Sequence, residues 1–178
     1  LGLPIVDLLG FSLGGMVAQQ MASTHPHMVR SLILCGPGPR GGEKMTFTEL
    51  SSEERDDPIG VLLVAFFTAS EASQAAGHAY IERINRRRTD RDAPVTPIAA
   101  EAQLQAIRAW GEVPATDRYA TLQTISQPTL IVHGAKDVVV DPVNAFILAE
   151  HLSHATLLIL PDASHGAQSQ HANVFLAN

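Results

Sequence analysis

The sequence predicts an α/β fold, a parallel β-sheet with helical crossovers, and two observations predict it. The first is a set of four short apolar runs, rich in leucine and β-branched residues, that have the length of buried strands. These runs cover residues 3–9, 29–35, 129–133 and 156–160. The second is the helical pattern that follows the first, third and fourth runs, because strands that alternate with helices form parallel sheets.

Each helix of the predicted sheet has its own sequence signal. Residues 13–23 carry apolar side chains at helical spacing, which favours an amphipathic helix directly after the first strand. Asp141 and Pro142 are typical of the N-cap and first turn of a helix, and they predict one over residues 142–152. A third helix is predicted over residues 167–176, after the last strand.

A long insertion, from about residue 37 to residue 127, separates the second strand from the third. Structureless connections of this length are rare in compact domains, so the insertion is predicted to have its own structure. Helical patterns cover residues 58–68, 71–87, 97–110 and 115–125. We therefore divide the chain into a first core segment (1–40), an inserted helical cap (41–114) and a second core segment (115–178).

Composition and charge exclude several function classes. The chain of 178 residues is 46% hydrophobic and 17% charged, which is typical of a globular protein. A net charge of −6 gives no broad positive field for a nucleic acid. Residues 59–69, the most apolar stretch, are far fewer than the roughly 20 needed to span a membrane. The single cysteine, Cys35, and the lack of a visible signal peptide favour a reducing compartment, the cytoplasm.

A G-x-S-x-G motif at residues 10–14 is the strongest chemical signal. It lies between the first strand and its helix, where a sharp turn exposes the hydroxyl of Ser12 as a nucleophile. The neighbours on both sides of this turn approach closely, so Gly10 and Gly14 are expected where side chains would clash. Gly15 is expected to let the helix lie close to the strand.

The groups that a serine nucleophile needs follow the last two strands. Serine requires a base that is itself oriented by a carboxylate. Asp137 follows the third strand and His165 the fourth, and parallel strands bring such loops to one edge of the sheet. Asp141 and Asp162 are the alternative carboxylates, but Asp141 suits a helix cap and Asp162 shares a turn with the histidine. The Leu13 amide, at a helix N-terminus, is expected to donate to the substrate oxyanion.

Three motifs together resemble those of the α/β-hydrolase fold family. They are Gly-Phe-Ser-Leu-Gly-Gly at 10–15, His-Gly-Ala-Lys-Asp at 133–137 and Ser-His-Gly at 164–166. The resemblance covers nearly all of the chain and implies that Ser12 is the nucleophile, His165 the base and Asp137 the carboxylate that orients it. Serine at position 12 argues against the haloalkane dehalogenases and epoxide hydrolases of this fold, which have aspartate there.

The resemblance also implies strands before the one that leads into the serine turn. The chain is therefore expected to be the C-terminal portion of an α/β-hydrolase fold. Unpaired, the strand from Leu3 to Leu9 would expose an apolar edge that favours aggregation. Either the N-terminal part of the same fold or another chain is expected to cover this edge.

The function predicted from these residues is hydrolysis of a small carboxylic ester or lactone through an acyl-enzyme. No cofactor and no metal are expected, because the triad supplies nucleophile, base and electrostatic stabilisation. One alternative is a cofactor-free haloperoxidase of the same fold, which transfers the acyl group to peroxide. A second is a hydrolase-like protein that binds a ligand without turnover.

Several other residues have two interpretations each. The residues proposed to line the substrate pocket are Phe11, Phe66, Phe67 and Trp110. For the last three, packing inside the cap is the alternative. His133 is expected to be a buried, hydrogen-bonded histidine, and Cys35 a small apolar residue. A basic cluster is expected to be a solvated helix face, with attraction of an anion as the alternative. Its members are Arg83, Arg86, Arg87, Arg88 and Arg91.

Overall fold

The computed structural model describes residues 2–45, 57–114, 116 and 118–178, and its centre is one parallel sheet. The strands are β1 (Val6–Phe11), β2 (Val29–Cys35), β3 (Thr129–Gly134) and β4 (Ala155–Leu160). Their order across the sheet is their order along the chain, and each pairs with its neighbour in parallel. The predicted α/β fold with a parallel sheet is confirmed.

Crossover helices cover one face of this sheet. Helix α1 (Leu13–Thr24) connects β1 to β2, and a later helix (Val143–His151) connects β3 to β4. The Asp141 carboxylate accepts a hydrogen bond from the Val143 amide at 2.9 Å, so Asp141 does cap this helix. Fully buried side chains from strands and helices make the core between them: Ala22, Leu34, Ile131, Ala145 and Leu148.

Three helices of the insertion lie between β2 and β3: α2 (Pro58–Phe66), α3 (Glu71–Ile84) and α4 (Pro97–Gly111). Each starts at a side chain that caps it, respectively Asp57, Ser70 and Thr96. Helix α3 ends before the predicted residue 87, where the Asn85 amide donates to the Ile81 carbonyl at 3.0 Å. Residues 46–56 of the predicted cap lie outside the described residues.

The prediction of an α-helix over 115–125 is wrong for the residues that are described. They contain only a short 3-10 helix, Ala120–Thr124. Tyr119, directly before it, has a φ of 62°, a left-handed conformation that no α-helix continues through. Ala115 and Asp117, which belong to the same prediction, lie outside the described residues.

The single helix predicted after β4 is two short helices. With the β3–β4 helix numbered α5, these are α6 (Ala167–Gln170) and α7 (Ala172–Leu176). They meet at His171, whose non-helical backbone accompanies a 3.0 Å hydrogen bond between its ring and the Pro161 carbonyl. This contact to the preceding turn is a tertiary contact, and the spacing of apolar residues in the sequence does not predict it.

Strand β1 begins three residues later than predicted and extends two residues further, to Phe11. Pro4 has no amide hydrogen for a strand ladder, whereas Phe11 still pairs with Cys35 of β2. Within the described residues β1 pairs with β2 alone, and the Leu9 side chain is 58% exposed. What covers this edge stays a prediction. In the described part of the chain, no helix has the length and apolar character needed to cross a bilayer.

Candidate active site

The turn between β1 and α1 holds Ser12 in a strained backbone conformation. Its φ is 51° and its ψ is −120°, values that a residue with a side chain rarely adopts. The Ser12 amide donates to the Cys35 carbonyl at 2.9 Å, and its carbonyl accepts from Gly15 at 2.9 Å. Its side chain makes no capping hydrogen bond to α1. The turn is thus fixed through the backbone, and the hydroxyl is not used to hold it.

Two of the three glycines in this turn are required by space. A Cβ on Gly10 would lie 2.4 Å from the Gly14 carbonyl oxygen, and one on Gly15 would lie 2.7 Å from the Pro37 ring. Such distances force the backbone to move. A Cβ on Gly14, however, would meet no described atom within 4 Å beyond its chain neighbours and the backbone of its own helix. The expected steric need for glycine at position 14 is therefore wrong, because the crowding runs from Gly10 toward the helix backbone.

A buried pair of side chains lies at the same edge of the sheet. His165 Nδ1 and Asp137 Oδ2 are 2.8 Å apart, and the two residues are 3% and 7% exposed. The other carboxylate oxygen of Asp137 accepts from the amides of Val139 and Val140 at 2.8 and 2.9 Å. Both oxygens have donors, which fixes the carboxylate and directs it at the imidazole.

Asp137 is held in its charged form. Burial by itself raises the pKa of a carboxyl group, but hydrogen bonds from His133 and His165 and the charge of their rings more than offset it. The pKa of Asp137 is therefore below its usual range. His133 Nε2 lies 3.2 Å from Asp137 Oδ2 and 2.9 Å from the Val140 carbonyl oxygen. His133 is thus buried and hydrogen-bonded, as expected.

Glycines at two strand ends bring these loops together. Gly36 follows Cys35, whose carbonyl accepts a hydrogen bond from the Ser12 amide. A Cβ on Gly36 would lie 3.3 Å from the His165 ring. Gly134, at the end of β3, has the carbonyls of Ala163 and Ser164 within 2.4 Å of where its Cβ would be. The sequence assigned no role to either glycine, although Gly134 lies in the motif at 133–137. Their signal is a glycine directly at the C-terminal end of a strand that leads into the site.

The structure separates the three candidate carboxylates. Asp137 alone among them bonds to His165. Asp141 caps α5 and lies 3.6 Å from Lys44 Nζ, while Asp162 accepts hydrogen bonds from Thr68 and Ser70 of the insertion. The choice of Asp137 as the partner of the histidine is consistent with this geometry.

The four residues proposed for the pocket fall into two groups. The rings of Phe11 and Phe66 pack on His165, with centroid distances of 4.9 and 5.7 Å. Phe67 is 2% exposed and packs on Tyr80, inside the cap. Trp110 Nε1 donates to the Gly38 carbonyl at 3.2 Å, which ties α4 to the loop after β2. Phe67 is therefore a core residue, and Trp110 is an anchor of the cap.

The remaining side chains singled out in the sequence have simple surroundings. Cys35 is fully buried, and burial raises the pKa of its thiol to about 12, so it is not a nucleophile here. The five arginines between 83 and 91 are exposed, and the guanidinium of Arg83 lies 5.2 Å above the Tyr80 ring. In the described ranges no group of three or more histidine, cysteine or acidic residues is placed to hold a metal ion.

Three features together point to one family. They are the strained serine turn, the buried histidine–aspartate pair and the parallel sheet at whose edge both lie. Residues 1–172 match the family model of the α/β hydrolase fold. The chain belongs to this family. A solved α/β hydrolase fold protein from Chitinophaga pinensis superposes with a TM-score of 0.90 at 36% identity, over 99% of this chain and 64% of that one.

Curated relatives of the chain are named as esterases. A pimeloyl-(acyl-carrier protein) methyl ester esterase from Nitrosospira multiformis is 28% identical over 98% of this chain and 67% of its own length. The enzyme of the same name from Aromatoleum aromaticum is 32% identical over 91% of this chain and 67% of its own length. The chain thus spans about two thirds of the length of the relatives it matches.

Proposed function

We propose that the protein is a serine hydrolase that cleaves a carboxylic ester, with Ser12 as nucleophile, His165 as general base and Asp137 as the residue that orients the base. The observation that carries this proposal is the buried 2.8 Å contact between His165 Nδ1 and Asp137 Oδ2, at the sheet edge where Ser12 is held at positive φ. This arrangement supplies the nucleophile and the oriented base that acyl transfer requires.

The reaction follows from the roles of these groups. Ser12 Oγ attacks the ester carbonyl carbon while His165 Nε2 accepts the hydroxyl proton, and Asp137 stabilises the imidazolium without taking a proton. The oxyanion receives a hydrogen bond from the Leu13 amide, at the start of α1. The intermediate collapses, the alcohol leaves with the proton from His165, and water then releases the acid from Ser12 by the same steps. No cofactor is needed.

The substrate class rests on two supports. The curated relatives are named as esterases that act on a methyl ester. The Phe11 and Phe66 rings beside His165 give the acyl chain an apolar wall next to the reacting atoms. We infer an ester or lactone whose carbonyl carries an apolar chain, held under the helical cap of residues 41–114.

Covalent labelling tests this proposal. Treatment of the purified protein with a fluorophosphonate is expected to add one phosphonyl group to the peptide that contains Ser12, as measured by intact mass and peptide mapping. Ser12→Ala is expected to remove the adduct and ester hydrolysis together. Ser153→Ala, at an exposed turn after α5, is the matched control and is expected to label as the wild type does. Hydrolysis that survives in Ser12→Ala would refute the assignment.

A further inference from the structure

The loop that holds His165 is covered by the C-terminal end of α2 and the segment that follows it. Three hydrogen bonds join them directly: the amides of His165 and Gly166 donate to the carbonyls of Ala65 and Phe66 at 3.2 and 2.9 Å, and Ser164 Oγ donates to Ala65 at 2.7 Å. A Cβ on Gly166 would lie 2.9 Å from Phe66. Part of the hydrogen bonding of the histidine loop therefore comes from the cap.

Asp162 extends this contact through its side chain. One carboxylate oxygen accepts from Thr68 Oγ1 at 2.9 Å and from Lys136 Nζ at 3.1 Å, and the other accepts from Ser70 Oγ at 2.5 Å. Thr68 and Ser70 belong to the cap, and Lys136 directly precedes Asp137 in the loop after β3. A single carboxylate thus touches the cap and both loops of the histidine–aspartate pair.

Asp162 has a left-handed backbone, and its carbonyl adds a further contact. Its φ is 50°, a left-handed conformation that glycine adopts without cost and that other residues adopt at a cost. Its carbonyl accepts from Gln170 Nε2 at 2.6 Å, and Gln170 Oε1 accepts from the buried Ser73 hydroxyl at 2.7 Å. Glycine also suits this backbone, so a change of Asp162 to glycine removes the three hydrogen bonds of the carboxylate without adding backbone strain.

We propose that Asp162 is a positioning residue, which holds the His165 loop and the Asp137 turn in register with the cap so that the imidazole faces Ser12. This inference rests on the proposed function for the identity of the reaction, but its geometry concerns His165 and Asp137 alone. The hydrogen bonds from Ser70 and Thr68, and then that from Lys136, lower the pKa of Asp162 to about 2. The carboxylate is therefore charged wherever His165 acts as a base.

The proposal separates two kinetic constants. A loop that is released from the cap still lets substrate enter, but the imidazole spends less time within reach of the Ser12 proton. Misplacement of a reacting group by about 1 Å costs on the order of 100-fold in rate. Loss of the Asp162 carboxylate is therefore expected to lower kcat and the rate of fluorophosphonate labelling, with little change in KM.

Asp162→Gly is the sharpest variant, because it removes the carboxylate and suits the left-handed backbone. We expect kcat and the labelling rate of Ser12 to fall about 10- to 100-fold, in a protein that unfolds at close to the wild-type temperature. The matched control is Asp90→Gly, the same change at a φ of 51° in the exposed turn after α3, and it is expected to leave both rates unchanged. Asp162→Asn keeps one acceptor oxygen, so its kcat and labelling rate are expected to lie between those of the wild type and Asp162→Gly.

A proton NMR measurement makes the test independent of the proposed reaction. The Nδ1 proton shared by His165 and Asp137 is expected to give a low-field resonance in the wild type, which broadens or disappears in Asp162→Gly and remains in Asp90→Gly. Wild-type rates and an unchanged resonance in Asp162→Gly would overturn the proposal, as would a loss confined to KM. A wild type that shows the resonance but is never labelled would instead contradict the proposed function.

Discussion

The two halves of the candidate site are held in different ways. The contacts that fix the serine turn lie within residues 10–37: Gly10 packs against Gly14, and the Ser12 amide donates to the Cys35 carbonyl. The histidine loop has local contacts too, but it is also joined to residues more than 90 positions away, namely Ala65, Thr68 and Ser70 of the cap. The serine turn therefore depends on contacts within the first core segment, whereas the histidine loop depends in part on contacts with the insertion.

This difference indicates which half of the site is adjustable. The serine turn combines a strained backbone with close packing, so a change there disturbs the strand and the helix together. Besides two backbone hydrogen bonds to the cap, the histidine loop has side-chain hydrogen bonds that substitutions can remove one at a time. The insertion therefore contacts the loop of the proposed base, and its Phe66 ring packs on that histidine.

The largest loss of activity is expected from Asp137→Asn. This change keeps the size of the side chain next to the histidine loop but removes the charge that orients the imidazole. In a serine triad such a change leaves the histidine in the wrong tautomer and lowers kcat by on the order of 10³- to 10⁴-fold. Steady-state hydrolysis of a simple ester measures it. Asp141→Asn, at the cap of α5, is the control and is expected to retain activity, since its carboxylate does not contact His165.

Gly10→Ala is expected to disrupt the serine turn, the other half of the candidate site. The new Cβ would lie 2.4 Å from the Gly14 carbonyl oxygen, a backbone atom that cannot rotate away. A loss of about 3 kcal/mol in the free energy of unfolding is expected, as for severe overpacking. Gly14→Ala meets open space and is expected to change stability by less than about 1 kcal/mol. Chemical unfolding of the two variants decides between them, and equal losses would contradict the steric account of the turn.

Gly166→Ala tests the contact between the loop and the cap. Its Cβ would lie 2.9 Å from the Phe66 Cβ and carbonyl oxygen, so α2 must shift outward. We expect a loss of about 1–2 kcal/mol in stability, from overpacking that a movable helix can relieve, together with slower labelling of Ser12. The comparison is Gly111→Ala, where the nearest atom is the flexible Met45 methyl group at 3.1 Å. It is expected to label at the wild-type rate.

The smallest expected effect is a pH dependence in the stability that the Asp162 carboxylate adds to the contact between the histidine loop and the cap. Folding lowers the pKa of Asp162 from 3.8 to about 2, so its contribution is complete above the unfolded value and is lost as the pH falls through the folded one. The stability difference between wild type and Asp162→Asn is therefore expected to be constant from about pH 7 to pH 5 and to shrink below about pH 4. Urea unfolding across this range measures it, and a difference that grows on acidification would have the wrong sign.

Much of the fold was predictable because it depends on local patterns. Strand β2 has the predicted bounds, and β3 and β4 each differ by one residue, since short apolar runs report burial directly. The failures have tertiary causes. His171 interrupts the last helix where its ring meets Pro161, and Tyr119 at positive φ reduces a predicted helix to a 3-10 turn. Spacing of apolar residues carries no signal for either contact.

For the site, the sequence by itself determined the residue types, their order and the loops that hold them. Ser12, Asp137 and His165 each follow a strand of a parallel sheet, and parallel strands end at one edge. The sequence also favoured Asp137 as the carboxylate, but only the tertiary structure decided that Phe66 rather than Phe67 packs on the histidine and that Asp162 joins the cap to the loop. The physical reason is that strand periodicity fixes where a loop emerges, whereas the partner of a side chain depends on distances between segments far apart in the chain.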